Sequence, residues 1–189
     1  MNKATRNHNK DNFFYRFFKR LFDIMFSLVG IMLLIPLTIL LFFVRKRNHD
    51  DKMPMFFDQL RYGKDGKVFK LYKYRSMCLN ADEILEKYLN SNPEAKKEYK
   101  KYKKLKNDPR VTKSGEFIRK SSMDEMPQFI NILKGEMTVV GPRPYLPREK
   151  DDMGKNFETI VSVKPGLTGL CEVPLYVENR VLNLCRGGA

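Results

Sequence analysis

The segment IMFSLVGIMLLIPLTILLFFV, running from Ile24 to Val44, constrains this chain more than any other feature. It carries no charge, and every residue except Ser27, Gly30, Pro36 and Thr38 is Ile, Leu, Val, Met or Phe. About 20 such residues suffice to cross a hydrocarbon core. At roughly −0.3 to −0.6 kcal/mol for each strongly apolar residue near the centre, partitioning into a bilayer is favourable. A cleaved signal peptide would be shorter and end on small residues, whereas Arg45-Lys46-Arg47 follows here. A helix buried in a soluble core would need a second apolar run of similar length, and the sequence has none.

Two features modify a simple span. Pro36, near the middle, removes a backbone hydrogen bond and bends a helix. Arg16, Lys19 and Arg20 precede the segment and three basic residues follow it, so the positive-inside rule places both ends on the cytoplasmic face. A re-entrant helix, broken at Pro36 and returning to the side it entered, satisfies both facts; a kinked transmembrane span is the alternative. Upstream, Phe13, Phe14, Phe17, Phe18, Leu21 and Phe22 recur at helical spacing between basic residues, the pattern of an interfacial amphipathic helix. Asp23 is placed to pair with Arg20 or Lys19, three and four residues back.

Lys and Arg number 36 against 22 Asp and Glu, a formal charge of +14 on 189 residues. Such a balance favours anionic partners, and the length suits one domain with an appendage. Cys78, Cys171 and Cys185 are scattered, with no C-x-x-C, and His8 and His49 lie in polar flanks. That pattern argues against a zinc site, a disulfide framework and histidine catalysis. Chemistry is left to carboxylates, Lys and Arg, hydroxyls or a metal held by oxygen.

In MFFDQLRYGKDGKVFKLYKYRSM, from Met55 to Met77, a Gly63–Gly66 turn separates two apolar-aromatic runs and predicts a β-hairpin. Alternation puts Lys73 and Arg75 on one face, where they meet either phosphate or solvent. Residues 80–89 read as a helix, and Pro93 starts another, capped by Ser91 or Asn92. Its lysine-rich continuation reads as a solvated face, so no nucleic-acid partner is expected. Ser122-x-x-Glu125 fits a capping box, and Met126, Phe129, Ile130 and Leu133 fit one apolar helical face. Asp124 and Glu125 then sit at a helix N-terminus, where the dipole and Arg119 favour ionised carboxylates. They either cap the helix or form a site: an ionised carboxylate can attack phosphorus, and neighbouring ones can hold Mg²⁺. Arg143, between Pro142 and Pro144, is either part of a rigid turn or a guanidinium fixed for phosphate.

Taken together, the ordered motifs resemble the bacterial sugar transferases, the monotopic phosphoglycosyl transferases. They are Lys19-Arg20-x-x-Asp23, Gln59-x-Arg61-x-Gly63, Lys73-Tyr74-Arg75-Ser76-Met77, Asn107-Asp108-Pro109-Arg110 and Arg119-Lys120-x-x-x-Asp124-Glu125-x-Pro127-Gln128. Gly135-Glu136-Met137, Gly141-Pro142-Arg143-Pro144 and Lys164-Pro165-Gly166-x-Thr168-Gly169 follow. Pro144-Tyr145-Leu146-Pro147-Arg148-Glu149 looks most like members that move galactose or glucose phosphate onto undecaprenyl phosphate. The resemblance implies that Asp124 attacks the β-phosphate of a UDP-sugar and releases UMP, and that a polyprenyl phosphate then takes the sugar phosphate. It gives Glu125 the Mg²⁺, and gives Arg119, Arg143, Lys73, Arg75 and Gln59 to substrate. It gives Lys19, Arg20, Asp23 and Pro36 to the membrane segment. It implies the minimal form of the family, on the cytoplasmic face of a bacterial inner membrane, and leaves a homodimer open.

The expected fold is α+β and mostly helical: a re-entrant or kinked transmembrane helix over residues 1–47, and a small cytosolic catalytic domain with a β-hairpin over 48–172. A tail over 173–189 departs from the family pattern: where Trp-Gln-Val is usual, Cys171-Glu172-Val173 stands, and the chain has no tryptophan. The tail reads as truncated or rearranged, and a degenerate, non-catalytic membrane relative is the alternative function it suggests.

Overall fold

A computed structural model describes residues 13–50, 52–102 and 105–169. The expected atypical tail, 173–189, lies outside the described residues. Phe13–Arg47 form one 35-residue helix, α1, roughly 50 Å long. It continues through Pro36, where the sequence suggests a break. Packing explains the continuity: Ile31, Leu34, Leu37 and Leu41, on both sides of the proline, join one apolar cluster.

Asp23, Ser27, Gly30, Leu34, Leu41 and Arg45 are the buried residues of α1, and their spacing marks a single face. Between the basic ends, much of the remaining helix surface is apolar and exposed, with Met32 76% and Ile35 66% accessible. Polar bonds fasten both ends of the buried face. Lys19 Nζ donates to Thr138 Oγ1 at 2.7 Å, and Arg20 donates to the Ile132 and Leu133 carbonyls at 2.7 and 2.8 Å. Arg45 donates to the Asp50 and Met53 carbonyls at 2.7 and 2.6 Å. The pairing of Asp23 with Lys19 or Arg20 along the helix is replaced by a reach across it: Asp23 accepts from Thr138 Oγ1 and from the Val139 N–H at 2.9 Å.

The hairpin forms as expected. Phe56–Tyr62 (β1) and Val68–Tyr74 (β2) pair antiparallel, with Phe56 opposite Tyr74 and Tyr62 opposite Val68. The turn needs positive φ at Asp65 and Gly66, which Gly66 supplies without strain. Ala81–Ser91 (α2) and Pro93–Tyr102 (α3) follow, and Asn92 Oδ1 caps α3 by accepting from the Glu94 and Ala95 N–H groups at 3.1 Å. Lys113–Lys120 (α4) starts at Thr112, whose hydroxyl accepts from Gly115 N–H.

Gln128–Lys134 (α5) lies between α1 and β2. A Cβ at Gly30 would overlap the Phe129 ring, so only glycine lets α1 and α5 approach this closely. Phe129 and Ile132 are buried with Leu71, Met137 and Val139. Leu133, expected on that face, is 37% exposed, and Ile132 takes its place. A second cluster joins Leu34 and Leu41 of α1 to Tyr74 and Ile118, and Thr38 and Tyr74 hydroxyls meet at 2.5 Å. Asn131 is fully buried; it accepts from Tyr72 N–H at 3.1 Å and donates to the Lys70 carbonyl and Glu136 at 2.7 Å. This one amide ties α5 to β2.

Two short strands, Thr138–Val140 (β3) and Gly166–Thr168 (β4), pair in parallel. Between them lie two short helices, Lys150–Met153 (α6) and Phe157–Val161 (α7). Helices thus dominate an α+β fold with one long apolar N-terminal helix.

Candidate active site

After α4 the chain passes through Ser122, at φ +54°, into a 3₁₀ turn over Met123–Glu125. The expected capping box does not form: Ser122 makes no side-chain cap bond, and Pro127 stands at the start of α5. Glu125 has a different partner. Its Oε1 lies 2.8 Å from Lys73 Nζ, delivered by β2, and Asp124 Oδ2 lies 3.9 Å from the same nitrogen. A lysine expected to face phosphate or solvent therefore stands on the acid pair.

Burial is the largest influence on Asp124, whose side chain is 20% exposed. Desolvation pushes its carboxyl above the ordinary aspartate range; Lys73 opposes this, Glu125 reinforces it, and Arg119 opposes it. The sequence predicts the reverse, from a helix dipole and Arg119. However, α5 has only seven residues and starts beyond Glu125, so burial prevails.

Arg143 is held by an interlocked pair of loops. Gly141 N–H donates to Thr168 O at 2.9 Å, and Gly166 N–H donates to Pro142 O at 2.8 Å. A Cβ at Gly166 would overlap the Gly141 backbone, which is why both motifs need glycine there. Arg61 braces the same loop, donating from Nη1 to Pro144 O at 3.0 Å, while Tyr62 N–H donates to Tyr145 O at 2.9 Å. Arg61 is 7% exposed, and burial pulls its guanidinium down to about 10.

An open cleft of roughly 540 Å³ results, lined by Arg61, Lys73, Glu125, Gln128, Arg143 and Thr168 among others. Three cations against one lining carboxylate suit an anionic occupant. Of the predicted site residues, Lys73, Glu125 and Arg143 meet at this cleft, with Asp124 beside Lys73. Arg119 donates to Ser76 Oγ at 3.0 Å while acting electrostatically on Asp124. Gln59 accepts from Arg61 at 2.6 Å, one step behind the cleft wall. Arg75 turns elsewhere, donating to Pro54 O and lying 5.2 Å over the Phe57 ring. Arg61, Gln128 and Thr168 are site residues that sequence reasoning passes over, although each falls inside a quoted motif.

Among the described residues no three His, Cys, Asp or Glu gather as a metal cage. Mg²⁺ does not need one: it keeps several waters and binds one or two carboxylates plus substrate phosphate. Glu125, 39% exposed at the cleft and adjacent to Asp124, fits that kind of ion.

Residues 14–183 match the family described as Bacterial sugar transferase. The chain is 44% identical over 158 residues to the undecaprenyl-phosphate galactose phosphotransferase of Salmonella typhimurium, covering 84% of this chain and 33% of that protein. It is 40% identical over 155 residues to the exopolysaccharide production protein ExoY of Rhizobium meliloti, covering 82% and 68%. To the UDP-glucose:undecaprenyl-phosphate glucose-1-phosphate transferase of Klebsiella pneumoniae it is 37% identical over 161 residues, covering 82% and 30%. The chain thus spans about a third of the length of the first and third of these relatives.

Proposed function

The chain belongs to the bacterial sugar transferase family, and from that premise we propose that it moves a sugar 1-phosphate from a UDP-sugar to undecaprenyl phosphate. This would be the first membrane step of exopolysaccharide, capsule or O-antigen synthesis. The observation that carries the reading is the Asp124–Glu125 pair beside Lys73, on a cleft that also holds Arg143 and Arg61.

In this reading an ionised oxygen of Asp124 forms a bond to the β-phosphorus of the UDP-sugar. The bond from that phosphorus to the bridging oxygen breaks, and UMP leaves with the electron pair. A phosphate oxygen of the lipid acceptor then attacks the same phosphorus and frees the Asp124 carboxylate. Lys73 favours the ionised Asp124, opposing the effect of burial. Arg143, on its stiff loop, binds a phosphate group and aligns it with the nucleophile. Glu125 would hold Mg²⁺, which would neutralise charge on the pyrophosphate. Intact-mass measurement after incubation with a panel of UDP-sugars tests the covalent step and the sugar together. The chain should gain one hexose phosphate, and Asp124→Asn should gain nothing; an unchanged adduct on Asp124→Asn would remove the nucleophile from this scheme.

The exposed apolar surface of α1 is the proposed membrane anchor, with both ends on the cytoplasmic side of the inner membrane. The support is that one globular part holds α1 on both sides of Pro36, through Lys19, Arg20 and Asp23 and again through Thr38 and Leu41 against Tyr74 and Ile118. Cysteines introduced at Asn12 and Asn48 should both resist an impermeant thiol reagent added from the periplasmic side. Labelling of only one would establish a span instead.

A further inference from the structure

Lys164, in the loop between α7 and β4, has a half-buried side chain that makes no hydrogen bond or ion pair among the described residues. Burial and the nearby charge of Arg20 depress its pKa, with Lys64 and Lys19 adding to the effect; Asp23 is the one acid that opposes it. Asp23 is already engaged by Thr138 and the Val139 N–H, and among the described residues Arg20 donates to neutral carbonyls. Positive charge is therefore concentrated here beyond what the neighbouring acid offsets.

The floor between the two cations is bare backbone. A Cβ at Gly135, where φ is +84°, would lie 3.5 Å from both Arg20 Nη2 and Lys164 Nζ. Both groups border the space a side chain would fill. On α1, Phe13, Phe17 and Arg20 fall at helical spacing on one face. The two rings stack 6.5 Å apart and are 74% and 54% exposed. A pair of cations over a glycine, continued by an exposed aromatic pair, matches an anion that carries an apolar chain. A soluble anion would leave the aromatic pair unused.

We infer that Lys164 and Arg20 hold the phosphate of an anionic bilayer lipid across Gly135, with its acyl chain against Phe17 and Phe13. Lys164 is not among the residues lining the cleft at Lys73, Glu125 and Arg143, so this is a docking site distinct from that cleft. It orients the anchored chain at the lipid surface, and it rests on the membrane reading above.

The test reconstitutes the full chain in phosphatidylcholine bilayers doped with phosphatidylglycerol and counts retained lipid by native mass spectrometry. Wild type should retain phosphatidylglycerol, Lys164→Gln should retain about fivefold less, the scale of one basic contact at an anionic surface, and Lys164→Arg should restore it. Lys120→Gln, on an exposed position of α4, should match wild type. Equal retention by Lys164→Gln would overturn the site. Displacement of the lipid by millimolar inorganic phosphate would reduce it to a general anion site and overturn the lipid assignment. Flotation with the same vesicles separates the two readings: a wild type that fails to float sinks the membrane anchor, whereas one that floats without retaining phosphatidylglycerol sinks only the docking site.

Discussion

Two regions of this molecule each enclose an aspartate in basic surroundings, and they treat it in opposite ways. Around Asp23 the fold supplies hydrogen bonds, from the Thr138 hydroxyl and the Val139 N–H, with Lys19 bonded to the same hydroxyl. The carboxylate is 4% exposed and its oxygens are filled. Around Asp124 the fold supplies a cation at 3.9 Å and a competing carboxylate in Glu125, and burial raises the pKa. Filled lone pairs make an acid into a clamp. Around Asp124 the carboxylate is offset chiefly by charge and bonded by its own backbone N–H, which on the proposed function would leave it able to attack.

The largest separation should come from Asp124→Asn. It should lower transfer by roughly 10³-fold or more, as loss of a nucleophile does, yet the protein should unfold at a higher temperature. The folded pKa of Asp124 lies above its unfolded value, so the folded state binds the proton more tightly, and ionisation at neutral pH opposes folding. Wild-type stability should accordingly rise as pH falls from neutral through the folded pKa, a gain that Asp124→Asn should not show. Thermal melts across that range, alongside a UMP-release assay, check both halves.

Asp23→Ala should do the converse. Loss of the buried acceptor leaves Thr138 and the Val139 N–H unsatisfied and should cost about 3 kcal/mol of stability, read by denaturant unfolding in detergent, with turnover per folded molecule little changed. A large fall in turnover with unchanged stability would erase the distinction between the two acids. The smallest effect should follow Lys73→Gln, about tenfold in rate, the scale of one charge-assisted contact. Its signature is the pH profile: with the main opposing charge removed, the acidic limb of activity should move to higher pH.

What the sequence made legible was local. The apolar run announces α1, the glycine turn announces the hairpin, and Asn92-Pro93 announces the start of α3. Asp124 and Glu125 stand out as adjacent acids in a basic chain. The long-range arrangements carry no such signal. Lys73 meets Glu125 across 52 residues, and nothing in strand alternation says which element will cover that face. The β3–β4 pair is three residues on each side, too short for periodicity to mark. Asn131 reads as one polar residue in an apolar helix, and its three bonds exist only because β2 and Glu136 close around it. The capping box fails for a related reason: Glu125 bonds a lysine from another element, and α5 starts beyond it.

The contact at Gly30 carries a further consequence. The Phe129 ring rests on bare backbone of α1, and Phe129 is the second residue of α5, close after Glu125. On the proposed function, the Asp124 carboxylate would stand at a set height above α1, with one aromatic ring as the spacer. A lipid held in a bilayer cannot climb to meet its partner, so in the proposed reaction that height would have to stay constant. An alanine at position 30 would tilt the platform without touching an atom of the chemistry.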